Sequence, residues 1–392
     1  MKNRKLIALA SVAVLAVSTF ARAETANVNV YGTLNLSLES VNAVDATNLN
    51  SNYVNRFRLA SNASNFGIKG SEDLSETLKA FFQIESSVGF DGSGALAMRN
   101  TGIGLTGGFG TALIGVWDTP FKLANTFMEP FYGAGIGYMA SMLDIIGEGS
   151  TSATFASAGV AGDAGKMSFT RRQGNSVQYW SPTIGGATLK AVYSTNLDRG
   201  MTTGNPDLLG ASLGYAAGPL NAAFAYEQHD DFGGRSILPY GGAAVDTKDV
   251  GMKAAVGYKF FDSLSMGLAW SNLAYKAYSA AGTAKYDRNA YVLTAMQKMD
   301  AITFRLGLGT ANQGSCENAD ASACASDNLG ASMASIGASY SIGKRTDLYG
   351  LFSKIWNQSA ATYNFALNPV GGTPVTVGAD PMGAGIGVRH SF

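Results

Sequence analysis

The sequence predicts an all-β protein: a closed antiparallel transmembrane β-barrel of about sixteen strands, each near ten residues long. Three observations predict it. Segments that alternate apolar with small or polar residues recur from Glu24 to the end, and the connections between them alternate between tight turns and long polar loops. The composition is rich in Gly (49 of 392) and aromatics (17 Tyr, 20 Phe), poor in Pro (9) and only 14% charged. Hydrocarbon offers no hydrogen-bond partner, so a sheet that crosses it must close on itself, with an apolar outer face and an inner face free to be wet. A soluble β-sandwich is the competing fold, but it would bury its apolar faces against a second sheet and rarely needs so many long strands.

The N-terminus reads as an export signal. "MKNRKLIALASVAVLAVSTFARA" has a basic start (Lys2, Arg4, Lys5), a short apolar stretch from Leu6 to about Val17, and Ala21-Arg22-Ala23 as an A-x-A site. Residues 1–23 are expected to be a signal peptide cleaved after Ala23, leaving 24–392 as one barrel domain. The apolar stretch is too short for a spanning helix. Cleavage takes four basic residues (Lys2, Arg4, Lys5, Arg22) from the 28, leaving 24 basic against 28 acidic side chains. Nucleic acid, which asks for a strong basic excess, is not an expected partner.

Along the mature chain, "NVNVYGTLNLSLE" places Val28, Val30, Leu34, Leu36 and Leu38 on one face. "SNFGIKG" puts Phe66 and Ile68 outward with Lys69 opposite. Tight turns are read at "GSEDLSE", "TGGFGT", "SPTIGGA", "AAGPLN", "KFFDSL", "KMDAI" and "SIGKRTD"; long connections include "KAYSAAGTAKYDR" and "NQSAATYNFALNPVGGTPVTVGAD". Short periplasmic turns and long extracellular loops are the outer-membrane pattern. The last ten residues, "GAGIGVRHSF", set Ile386, Val388, His390 and Phe392 on one face, and Gly385, Gly387, Arg389 and Ser391 on the other. Phe392 fits an aromatic girdle at the lipid–water boundary.

One insertion breaks the rhythm. After "TALIGVW" more than fifty residues follow, about 118–170, containing Phe121, Phe127, Phe131, Tyr132, Tyr138, Met139, Met142, Leu143, Ile145 and Ile146. These need burial, and folding the loop into the lumen supplies it while narrowing the channel. An extracellular cap, or packing against neighbouring subunits, is the alternative. Cys316 and Cys324, in a polar loop of an exported protein, are expected to form a disulfide rather than remain free thiols or bind metal.

These residues resemble the Gram-negative general porins of β-proteobacterial type. The resemblance runs the length of the mature chain and rests on "NRFRLASNASNFGIKGSEDLSETLKAFFQIESSV", "LAMRNTGIGLTGGFGTALIGVWDTPFK", "RRQGNSVQYWSPTIGGATLKAVY" and the terminal "GVRHSF". It implies a trimeric barrel in the outer membrane, in contact with its lipid, with the third loop inserted. The C-terminal strand, ending on Phe392, is expected to engage the outer-membrane assembly machinery. In the family, basic side chains on the wall face acidic or polar groups on that loop. Carried over by position, the basic wall residues are Arg56, Arg58, Lys69, Arg99 and Arg172; the loop acids are Asp118, Glu129 and Asp144. Where many relatives carry further arginines, this chain has Asn65 and Val116, so a weaker anion preference than in basic relatives, or a mild cation bias, is expected. Arg99 shares odd parity with Ile103, which asks either for a bulge or for one of them to face outward.

The function implied is passive diffusion of small hydrophilic solutes and ions through a water-filled lumen; the alternative is a channel selective for carboxylates or sugars. "GIGLTG" and "GIGYMA" match a dinucleotide fingerprint only in letters, since neither opens a helix in a βαβ unit. His229 and His390 lack an evident nucleophile partner, so no enzyme, cofactor or metal is expected.

Overall fold

The protein is described here as a computed structural model covering residues 27–90, 96–146, 168–195, 206–231, 246–280, 282–321, 324, 326–371 and 375–392. The signal peptide at 1–23 and residues 147–167 of the long insertion lie outside the described residues. Strands follow in chain order: β1 Asn27–Val44, β2 in two segments (Tyr53–Ser61 and Asn65–Ser75), β3 Leu78–Ser87 and β4 Thr101–Gly107. Next come β5 Gly110–Asp118, β6 Arg172–Trp180, β7 Ala187–Thr195, β8 Asp207–Ala217, β9 Leu220–Asp230 and β10 Thr247–Phe260. The rest are β11 Leu264–Ser279, β12 Gly282–Met299, β13 Ile302–Ala311, β14 Ala331–Gly343, β15 Thr346–Asn357 and β16 Asp380–Ser391.

Each strand pairs antiparallel with its sequence neighbours, and β16 returns to β1 with Leu34 opposite His390 and Leu38 opposite Ile386. The sheet is therefore a closed sixteen-stranded barrel. Closure leaves no unpaired edge, the condition for a sheet in hydrocarbon. The final residue is part of the ladder: Phe392 N–H donates to Gly32 O (3.0 Å), and Gly32 N–H donates to Phe392 O (3.2 Å). A Cβ on Gly32 would stand 2.6 Å from the Phe392 ring, so glycine lets the aromatic lie across the seam.

Alternation sorts the two faces. Val30, Leu38, Phe57, Ile103, Ile336 and Ile386 are exposed on the outside, while Asn35, Ser37 and Glu39 are buried on the inside. Among the described residues no second layer covers the outer face, which is what a lipid-facing surface requires. In β2 the parity changes between the two segments: Phe57 and Leu59 face out, and so do Phe66 and, opposite outward Val30, Ile68. The extra residue falls at the break, where Ala63 takes φ +57°. Arg56, Arg58 and Lys69 therefore share the inward face despite their mixed numbering.

"KAYSAAGTAKYDR", read from sequence as a long loop, instead extends β11 and β12 into a tall hairpin, with Ser279 opposite Gly282. Its polar composition hid a period of two: Tyr275, Ala277, Ala284 and Tyr286 are all buried inside. A three-residue strand, Ser315–Glu317, pairs with Lys285–Asp287 on this hairpin. Cys316 lies in that strand and is disulfide-bonded to Cys324.

Candidate functional site

The described parts of the third loop, residues 119–146 and 168–171, pack inside the barrel between β5 and β6. Thr119 starts the loop by capping the short helix α1 (Pro120–Leu123), its Oγ1 accepting from Lys122 N–H at 3.3 Å with Pro120 at the first helical position. A second single-turn helix, α2, spans Ala140–Leu143. Phe121, Ile136, Met139, Met142 and Leu143 are fully buried, each contributing about 1.5–3 kcal/mol relative to exposure.

Most of the loop's apolar side chains seat on inward glycines and alanines of β10 to β14, while Ile136 sits against Gly383 of β16. A Cβ on Gly267 would come within 2.5 Å of Met128 Cβ, one on Gly307 within 2.7 Å of Met139 Sδ, and one on Gly309 within 2.7 Å of Met142 Cγ. Gly257 makes the same room for Phe127, at 2.9 Å. Much of the wall's glycine is thus a row of sockets for the loop.

Wall donors then fix the loop backbone. Thr294 Oγ1 donates to Met128 O (2.8 Å), Arg305 Nη1 to Pro130 O (2.6 Å), and Ser271 Oγ to Leu143 O (2.6 Å). Arg288, fully buried, donates to Leu143 O (3.2 Å) and also to Ile145 O. Lys253 Nζ reaches Phe121 O at 3.2 Å, Asn125 Oδ1 at 2.9 Å and Asp144 Oδ1 at 2.7 Å. Tyr132 is held between two guanidinium groups, Arg305 at 4.5 Å and Arg389 at 4.8 Å from its ring centroid.

The last loop, described over 358–371 and 375–379, also enters the lumen. Tyr363 and Phe365 are buried, and Ala366 N–H donates to Ser141 Oγ of the third loop at 2.9 Å. Between these two loops and the opposite wall lies a cavity of about 490 Å³. Its lining includes Asn35, Asn65, Arg99, Asp118, Lys122, Glu129, Tyr132, Arg172, Leu367 and Arg389.

The residues named from sequence are distributed as follows. Arg172 and Asp118 meet at the cavity, Arg172 Nε lying 3.2 Å from Asp118 Oδ1, and Lys122 Nζ reaches the same oxygen at 2.7 Å. Arg99 sits before β4, where it pairs with Glu85 at 2.6 Å and donates N–H to Glu85 O at 3.0 Å. The chain is irregular there, and the side chain points inward although Ile103 faces out. Arg58 pairs with Glu39 at 2.8 Å and donates to Asn368 O (2.6 Å) and Pro369 O (2.9 Å), so it holds the last loop. Lys69 lies 4.9 Å over the Tyr31 ring, and Arg56 is exposed near the start of β2.

Glu129 borders the cavity and is half-buried, with its Oε2 buried and Met139 N–H donating to its Oε1 at 3.1 Å; desolvation of the carboxyl pushes it up to about 8. Asp144 faces Lys253 beneath the loop, away from the cavity. Lys122, Arg389, Arg305, Lys253 and Arg288 were missed. Arg389 had the right parity in the last strand. Nothing local marks the others: the loop carbonyls that Arg305, Lys253 and Arg288 hold lie more than a hundred residues away in sequence.

The sequence profile of Gram-negative porins matches residues 8–358. The chain belongs to that family. Among its relatives is outer membrane porin protein 32 of Delftia acidovorans, 27% identical over 402 residues and covering 100% of both chains. The solved anion-selective porin from Comamonas acidovorans superposes with a TM-score of 0.72 at 21% identity, covering 94% of this chain and 100% of that one. The trimer form of OmpT, an outer-membrane protein of Vibrio cholerae, gives 0.61 at 16% identity, covering 94% and 100%. This porin is an outer-membrane channel whose lumen passes small hydrophilic solutes and ions passively. The outer face meets membrane lipid.

Proposed function

We propose that this porin is a general-diffusion channel with a modest anion preference and no enzymatic activity. The observation that carries the charge preference is the cavity lining, where Arg99, Lys122, Arg172 and Arg389 face only Asp118 and Glu129. Asp118 is shared by two of those cations, and Arg99 is offset by Glu85, so the positive field is partly cancelled. A lumen lined by unequal charge enriches the counter-ion in proportion to the uncompensated excess. The preference is expected to be weaker than in relatives with more basic eyelets, whose extra arginines are Asn65 and Val116 here.

A homotrimer is the assembly that supports this reading, by analogy with the trimer form of the Vibrio protein; residues 1–23 are removed on export and the C-terminal strand engages the assembly machinery. Reversal potential across a planar bilayer under a KCl gradient tests the preference: a small anion-selective potential supports it, and a strong cation-selective one refutes it. Liposome swelling with sugars of rising mass separates the modes. Smooth decline supports general diffusion, whereas saturation by one solute favours a selective channel.

A further inference from the structure

A second cavity, of about 370 Å³, lies on the far side of α1 from the first, with Leu123 in both linings. It sits near the turn end of the barrel, bounded by Gly186 and Ala216 beside the turns after β6 and β8. Lys190 is the one charged residue in its lining, which includes Leu123, Phe127, Thr188, Ser212 and Asn221. Lys190 lies on the inward face of β7, opposite Trp180 on one neighbour and Ser212 on the other. Its ammonium stands 5.1 Å above the Trp180 ring centroid. Among the described residues no carboxylate pairs with it, in contrast to Arg58, Arg99, Lys122, Arg172 and Lys253.

We propose that this second cavity binds small organic monoanions with a flat apolar body, of which an aromatic carboxylate is the type; the proposal rests on the channel reading above. An indole face orients a cation without neutralising it, so the charge remains available to a carboxylate. Leu123 and Phe127 supply an apolar surface for the body of the ligand, while Thr188, Ser212 and Asn221 supply hydrogen-bond donors. The volume falls at the small end of the range for ligand pockets, about 300–1,000 Å³, which suits one ring rather than an oligosaccharide. Chloride or acetate feels the charge but gains nothing from the apolar side, so affinity follows the ring as well as the carboxylate.

Sodium benzoate added to single channels in KCl tests this, with acetate as the control. Benzoate is expected to reduce conductance saturably, more strongly from one side of the membrane, and acetate to do so far less. Lys190→Met should raise the half-blocking concentration about fivefold while the KCl conductance stays nearly unchanged, and Lys190→Arg should restore the block. Open channels that ignore benzoate, block equal in wild type and Lys190→Met, or acetate as effective as benzoate would each overturn the site while leaving the porin reading intact. A preparation that opens no channel in KCl contradicts the porin reading itself.

Discussion

The two halves of the lumen wall solve opposite problems. From β10 to β14 the inner face is small and dry: Gly257, Gly267, Gly307 and Gly309 receive Phe127, Met128, Met139 and Met142. The face formed by β1, β2, β5, β6 and β16 is wet and charged, with Asn35, Asp118, Arg172 and Arg389 around the cavity. One half exists to hold the inserted loop, the other to meet the solute. Charge inside a porin therefore has two meanings. Lys253 and Arg288 on the dry half are buried struts, whereas Arg172 on the wet half and Lys122 on the inserted loop shape the field that ions cross.

Breaking a strut should cost most. Lys253→Met leaves Asp144 buried without its cation, an expected loss of about 3–5 kcal/mol, seen as a lowered unfolding midpoint together with noisy, larger conductance. Adding Asp144→Leu should recover most of the stability, because the orphaned charge is gone. Overfilling a socket comes next. Gly267→Val should cost about 1–3 kcal/mol by driving into Met128, whereas Gly108→Ala, which meets nothing within 4 Å, should be silent. If both glycines behave alike in thermal unfolding, the socket account is wrong.

Substitutions on the wet half should reverse the balance. Arg172→Ala is expected to change stability by about 1 kcal/mol or less, since Lys122 still neutralises Asp118, yet to shift the reversal potential toward cations. The smallest effect concerns Glu129, whose carboxyl is raised to about 8 by burial. It is neutral at pH 7 and ionises as pH climbs through 8, so anion preference should fall between pH 7 and 9, and Glu129→Gln should abolish that slope. The sign for stability follows from the same shift. The raised value favours the folded state below the usual carboxylate range near 4.5, and this contribution is lost as pH rises through 8.

How far sequence could see this follows the same division. The outer face and the final strand were legible because lipid imposes a period of two, as in Ile386, Val388, His390 and Phe392. The burial of the third loop was legible from its excess of Phe, Tyr and Met. Which wall receives it was not, since an isolated strand glycine usually reads as a weak point rather than a socket. Asp144 looked like a charge facing the lumen because its neutralising partner, Lys253, stands over a hundred positions away. The parity of Lys69 against Arg58 turned on a single left-handed residue, Ala63, which no propensity for alanine announces.

The seat of the third loop is open to one direct measurement. Met142 Cβ lies 3.2 Å from the position of a Cβ on Gly309, close to the ~3.8 Å spanned in a disulfide. A Gly309→Cys, Met142→Cys double variant should form that bridge spontaneously and keep the wild-type single-channel conductance, because the bond would only secure an arrangement already present. A pair that stays reduced under oxidising conditions, or a conductance that changes when the bridge closes, would contradict it.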